Sequence, residues 1–149
     1  MNQFSILEPT TENDLSEYYR IRYEILRKPW NQSSATTKDD TEHLSVHLLV
    51  KDEKGIAVAT GRMQFNSPTE AQIRSMAVID GYQGKGIGSL IIQHLEKIAV
   101  TKNIRQILLD SRENAVSFYL KNGYVIEAPS YLLFGEIKHF RMQKILNYD

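Results

Sequence analysis

The stretch GYQGKGIGSLIIQHLEKIA occupies positions 81 to 99. Glycines stand at 81, 84, 86 and 88, and apolar side chains then recur at Ile87, Ile91, Leu95 and Ile98, which is helical spacing. Clustered glycines let a backbone turn tightly or come close to a partner. A helix that begins there offers unpaired N–H groups and the positive end of its dipole, a setting that suits phosphate. Lys85 adds a cation. An ordinary strand-to-helix turn uses the same residues, so the stretch alone leaves both readings open. Two phosphate patterns fit poorly. For a P-loop, Gly81 and Gly86 have the spacing, but Ile87 and Gly88 stand where Lys and Ser/Thr are required. For a dinucleotide fingerprint, Gly84 and Gly86 fit, Ser89 replaces the third glycine, and Asp110 is an imperfect ribose-binding acid.

Working outward, residues 71–78 read as a strand with a change of phase. Ile73 follows one alternation, Met76 and Val78 the other. A bulge near Arg74 and Ser75 produces such a slip, and so does a strand buried on both faces. Upstream, Phe4 to Leu7 is a short strand, and Thr11 caps a helix that gathers Leu15, Tyr18, Tyr19, Ile25 and Leu26 on one face. The polar segment RKPWNQSSATTKDDTE, 27–42, is irregular and long, which marks functional loops. Strands over 44–51 and 56–65 are joined by DEKG, a hairpin signal. Downstream come a buried strand at 106–110, a short helix over 114–122 closed by Gly123, and strands over 124–127 and 137–144. Hairpins in the first half and helical crossovers in the second give an α/β (α+β) fold. The sheet is mixed, of about seven strands, with helices on both faces and a single domain over 1–149.

Composition narrows the function. Eighteen basic and eighteen acidic side chains cancel in 149 residues, which argues against a general nucleic-acid binder. There is no cysteine, so thiol catalysis, disulfides and thiolate metal sites are excluded. No apolar run exceeds four residues, too short to span a bilayer as a helix. The start MNQFSILEPTTEND lacks a signal-peptide pattern. A cytoplasmic protein with no membrane partner is expected.

A third pattern fits the glycine stretch throughout. Gln83-Gly84-Lys85-Gly86-Ile87-Gly88 matches Q/R-x-x-G-x-G/A and resembles the acyl-coenzyme A signature of the GNAT N-acetyltransferase superfamily. RSMAV (74–78) resembles that family's bulged fourth strand. NAVSFYLKNGY (114–124) resembles its later motif, and GEIKHFRMQK (135–144) is similar to the ElaA-like bacterial branch, with Lys138 where a proline is usual. The resemblance implies direct transfer of acetyl from acetyl-coenzyme A, as co-substrate, to a primary amine on a small molecule or peptide. It implies that Met76, Ala77 and Val78 meet the pantetheine, with the Val78 N–H on the thioester oxygen. It places Gln83, Gly84, Lys85, Gly86, Ile87, Gly88 and Ser89 around the pyrophosphate. Tyr119 falls where the family has its general acid, although an aromatic at this helical spacing beside Phe118 also suits simple core packing. Dimers are common in the family, so a homodimer is admissible. A module that binds acyl-coenzyme A without turnover is the alternative, and a dinucleotide-binding protein is disfavoured by the antiparallel first half.

Other residues carry two readings each. Asn114 suits a cofactor contact or a helix N-cap. His139 is the best candidate base, because imidazole titrates near neutrality. Glu136 is a second, acting through water, although an odd offset in a strand would put the two on opposite faces. Trp30 reads as a wall of the acceptor site or as a loop anchor. His43 and His47, four apart at the start of a strand, share a face but lack a third ligand, so no metal is expected. Asp39, Asp40 and Glu42 read as a solvated loop, or as an attractor for a cationic amine.

Overall fold

The computed structural model of the protein describes residues 3–135 and 137–146. Seven strands form one sheet: β1 (Ser5–Leu7), β2 (Val46–Lys51), β3 (Ala57–Phe65), β4 (Glu70–Val78), β5 (Gln106–Arg112), β6 (Val125–Leu133) and β7 (Ile137–Ile145). Their spatial order is β1-β2-β3-β4-β5-β7-β6. Every neighbouring pair is antiparallel except β4 and β5. The parallel pair needs a crossover, and the helix α2 (Ile87–Thr101) supplies it.

Helix α1 (Glu12–Leu26) starts as its sequence dictates, with the Thr11 hydroxyl accepting from the Asp14 N–H at 3.1 Å. Its buried Tyr18 and Ile21 pack with Leu49, Ala57 and Ala77 on one face of the sheet. Ile87, Ile91, Ile92, Leu95 and Ala99 of α2 pack on the other face, with Leu48, Val58, Met63, Ile73 and Ile107. Each large aliphatic side chain removed from water contributes about 1.5–3 kcal/mol, so the stripe on α2 fixes where that helix lies and where its N-terminus points. Helix α3 (Val116–Lys121) follows a single 3₁₀ turn at Glu113–Ala115 and lies against the same face through Phe118 and Tyr119.

Three boundaries differ from expectation. The long irregular segment contains three short 3₁₀ turns, at Lys28–Trp30, Ser34–Thr37 and Glu42–Leu44. The single helix expected over 114–122 is split between a 3₁₀ turn and α3. Strand β6 runs on to Leu133, because β7 pairs with it across two irregularities that a sequence pattern does not reveal.

The phase slip in β4 is a bulge. Thr60 pairs with Ala77, but Arg62 pairs with Arg74, so β4 carries one residue more than β3. Ser75 takes the extra place with φ of 55°, and its carbonyl accepts from the Thr60 hydroxyl at 3.1 Å. Ala71 and Ile73 before the bulge, and Met76 and Val78 after it, all join the core under α2.

Candidate active site

Strands β4 and β5 pair only from Glu70–Gln72 to Gln106–Leu108. Beyond that point they part, and the bulge at Ser75 lies on the diverging side. The Ile79 N–H donates to the Val58 carbonyl, towards β3. Backbone groups alternate in direction along a strand, so the Val78 and Met76 N–H groups face the opening between β4 and β5. The Val78 carbonyl, on that same side, accepts from Gln83 Nε2 at 3.1 Å. That contact ties the glycine loop to the end of β4.

A cavity of about 340 Å³ fills the diverging end, with Ser75 and Met76 on one wall, Asp110, Ser111 and Arg112 on the other, and Tyr119 and His139 behind. The Tyr119 side chain is 7% exposed, and its hydroxyl makes no hydrogen bond among the described residues. Burial pushes its phenol well above the usual value, and Arg112 pulls weakly the other way. The group is held protonated, the state in which it can donate. His139 is 5% exposed and stacks on the Tyr131 ring at 4.3 Å between centroids. A carbonyl only accepts, so the 3.0 Å contact with Ile137 O places the ring proton on Nδ1. In the neutral ring Nε2 is left as an acceptor. Burial lowers the His139 pKa, the Ile137 contact works against it, and Arg112 adds to the lowering.

The glycine loop is open to solvent. Gly86 has φ of 80° and opens α2 as its N-cap without any side-chain bond, so the first N–H groups of that helix keep no capping partner. Gly88 serves packing, since a Cβ there would lie 2.8 Å from the Phe118 ring. Lys85 Nζ sits 5.7 Å over the Tyr82 ring, at the loop's edge.

Several expected residues lie elsewhere. Trp30 does not line the cavity and is only partly buried in its 3₁₀ turn. Asn114 is exposed, lies outside the cavity lining and caps no helix with its side chain. Glu136 falls outside the described residues. His43 and His47 do not pair. His47 donates from Nε2 to the Glu42 carbonyl at 2.6 Å and accepts from the Tyr18 hydroxyl at 2.6 Å, while His43 is exposed in a 3₁₀ turn. Among the described residues no group of three or more His, Cys, Asp or Glu side chains is arranged to hold a metal.

The acidic loop is corrected most. Asp39 and Asp40 are exposed, as a solvated loop requires, but Asp39 and the half-buried Glu42 are already ion-paired and not free to attract a cation. Arg62, 1% exposed on β3, grips Asp39 through two nitrogens at 2.7 and 2.8 Å and reaches Glu42 at 2.6 Å. Arg22 of α1 reaches the same Glu42 at 2.6 and 3.1 Å. Sequence reading missed both arginines, because AVATGRMQF shows no gap in burial at Arg62 and the helix pattern treats Arg22 as a solvent residue. It also gave no site role to Arg27, Arg74 and Arg112, which line the cavity.

The model of the Acetyltransferase (GNAT) family matches residues 12–124. The uncharacterized N-acetyltransferase YjcF of Bacillus subtilis is 28% identical over 134 residues, 89% of this chain and 94% of that protein. The crystal structure of an aminoglycoside 6'-N-acetyltransferase complexed with coenzyme A superposes with a TM-score of 0.79 at 15% identity, covering 97% of this chain and 99% of that one. The ribosomal-protein-S18-alanine N-acetyltransferase of Escherichia coli superposes at 0.76 with 20% identity, covering 100% and 96%. The seven-stranded mixed sheet with its helices is the fold these structures share.

Proposed function

Because the chain belongs to the GNAT acetyltransferase family, we propose that this N-acetyltransferase moves an acetyl group from acetyl-coenzyme A directly to a primary amine in a ternary complex. The acceptor is a small-molecule or peptide amine, and residues 1–149 act as one domain, in the cytoplasm. The observation that carries the reading is the union of three features at one end of the sheet. These are the cleft opened by the β4 bulge, a Tyr119 hydroxyl with no hydrogen bond among the described residues, and a His139 whose free nitrogen is Nε2. The segment 135–144 supports a place near the ElaA-like branch.

The residues fit acetyl-coenzyme A. The opening between β4 and β5 accepts an extended amide chain as a further strand would be accepted. The uncapped start of α2, with Gln83, Gly84, Lys85, Gly86, Ile87, Gly88 and Ser89, presents N–H groups to a pyrophosphate. Met76, Ala77 and Val78 line the route between the two. When bound, acetyl-coenzyme A supplies an activated thioester. The Val78 N–H stabilises the charge that develops on the carbonyl oxygen, from a position fixed before reaction. His139 Nε2 takes the proton from the incoming ammonium, and the Tyr119 hydroxyl gives one to the departing thiolate sulfur. Glu136 remains a candidate relay through water. Asn114 and Trp30 are exposed or distant enough to act only on bound ligand at the rim.

Thermal unfolding with acetyl-coenzyme A, coenzyme A and NAD in separate excess tests binding. Ligand at roughly 100 times its dissociation constant stabilises by about 2.7 kcal/mol. A rise in Tm with the two coenzyme A species and none with NAD is expected, and the reverse defeats the reading. Tyr119→Phe then separates enzyme from sensor. The phenyl ring keeps the packing, so the coenzyme A shift stays, while kcat falls about a hundredfold or more. Unchanged turnover in Tyr119→Phe removes the general acid from the mechanism.

A further inference from the structure

Three guanidinium groups from three elements line the cavity that holds Tyr119 and His139. They are Arg27 just after α1, Arg74 on β4 and Arg112 at the end of β5. Among the described residues a single carboxylate, Asp110, lines the same cavity. Its oxygens already accept from Arg141 Nε and Gln72 Nε2, each at 3.4 Å. Arg74 reaches Asp39 at 3.3 Å, but that carboxylate is held more closely by Arg62. Arg112 donates to the Leu26 carbonyl at 3.2 Å and meets no carboxylate among the described residues. Arg27 lies 5.6 Å over the Phe134 ring and likewise has no ion pair among them.

The cavity therefore carries more positive charge than the described residues around it neutralise. Its arginines feel one another: burial, then the charges of Arg22 and Arg74, lower the Arg27 pKa, and burial, then Arg27, lowers that of Arg112. A guanidinium stays charged under such pressure. Holding unpaired charge out of water is costly, and a ligand anion is what offsets it. The planar fork of arginine also matches carboxylate and phosphate oxygens in pairs. The pyrophosphate is not the anion in question, since no residue from Gln83 to Ser89 lines this cavity.

We infer that the acceptor is a small primary amine bearing an anionic group, a carboxylate or a phosphate, which Arg27 and Arg112 bind with Arg74 at the rim while the amine faces His139. The inference rests on the acetyltransferase reading and names the substrate class for it. It also gives the arginines a second effect. Positive charge near a bound ammonium favours its neutral form, the form that attacks. The same charge repels polyamines.

The test uses matched amines in the presence of saturating coenzyme A: β-alanine against its amide, phosphoethanolamine against ethanolamine, and spermidine. Binding is read by thermal shift, and turnover with acetyl-coenzyme A is read where it occurs. The anionic member of a pair is expected to bind about ten- to a hundredfold more tightly than its neutral partner, the range for losing a charge-assisted contact. The carboxylate and phosphate pairs decide between those two anions. Arg27→Gln should erase the preference and leave the coenzyme A shift unchanged, and Arg112→Gln should weaken it too. Equal binding within both pairs, or preference for spermidine, overturns the inference. A preference that survives Arg27→Gln and Arg112→Gln overturns the assignment of the arginines. Loss of the coenzyme A shift in the unaltered protein instead defeats the acetyltransferase reading itself, so the two failures are distinct.

Discussion

His139 keeps its Nδ1 proton on the Ile137 carbonyl and its ring flat against Tyr131, which leaves Nε2 as the one nitrogen able to take a proton from substrate. Burial holds its pKa below the ordinary imidazole value of 6.5. The acid limb of kcat/KM should therefore have its midpoint below 6.5, with activity rising as pH rises through it. His139→Ala should slow the reaction about a hundredfold or more and remove that limb. A limb that persists in His139→Ala assigns the base elsewhere, with Glu136 the next residue to change. The sequence pointed to His139 through its chemistry alone. It could not show the Tyr131 stack, because that contact joins residues on two paired strands whose register slips between Pro129 and Leu132. Tyr119 was legible for the opposite reason: its motif is local, and the short helix that carries it sets its direction. The meeting of the three arginines was not legible, since each arrives from a separate element and no spacing links them.

At the scale of elements, the start of α2 illustrates how one position serves packing beneath an open glycine loop. Gly88 sits where a Cβ would meet Phe118 of α3 at 2.8 Å, and the ring is partly buried in the core under the sheet. Gly88→Ala should push α2 and α3 apart. The expected cost is about 1–3 kcal/mol, as for other overpacked cores, with weaker coenzyme A binding because the loop and the helix start move together. Chemical denaturation and the coenzyme A thermal shift read the two effects. Full stability together with full binding in Gly88→Ala would show that Phe118 turns aside at no cost. The glycine pattern revealed this loop, and the alternation of Ile73 against Met76 and Val78 revealed the bulge, because both are period signals within one element. The ion-pair tether of the 27–45 segment has no such signal. Asp39 and Glu42 meet Arg62 of β3 and Arg22 of α1, residues about twenty positions away with no shared spacing.

For the whole molecule, that tether makes stability depend on pH, and the sign follows from three groups. Arg62 hydrogen bonding lowers the Asp39 pKa. Burial would raise that of Glu42, but the bonds and charge of Arg22, with the charge of Arg62, outweigh it. Burial lowers the pKa of His47, only partly opposed by Glu42. In each case the folded protein binds its proton less readily than the unfolded chain does. Stability is then complete above the unfolded pKa and is lost as pH falls through the folded one. His47, with His139 in the same sense, should begin the loss just below 6.5, where a second proton on His47 Nδ1 would remove the acceptor of the Tyr18 hydroxyl. The carboxylates extend the loss below their ordinary values of 4.5 and 3.8 as the arginine pairs are neutralised. The Tm should thus be level near pH 7, decline from about pH 6.5, and fall faster below about 4.5. His47→Gln keeps a side chain that can bond but cannot titrate, so it should reduce the first decline to the part that His139 contributes and leave the second. A Tm that rises between pH 7 and 5 would reverse the sign and show that the histidines gain, rather than lose, protons on folding.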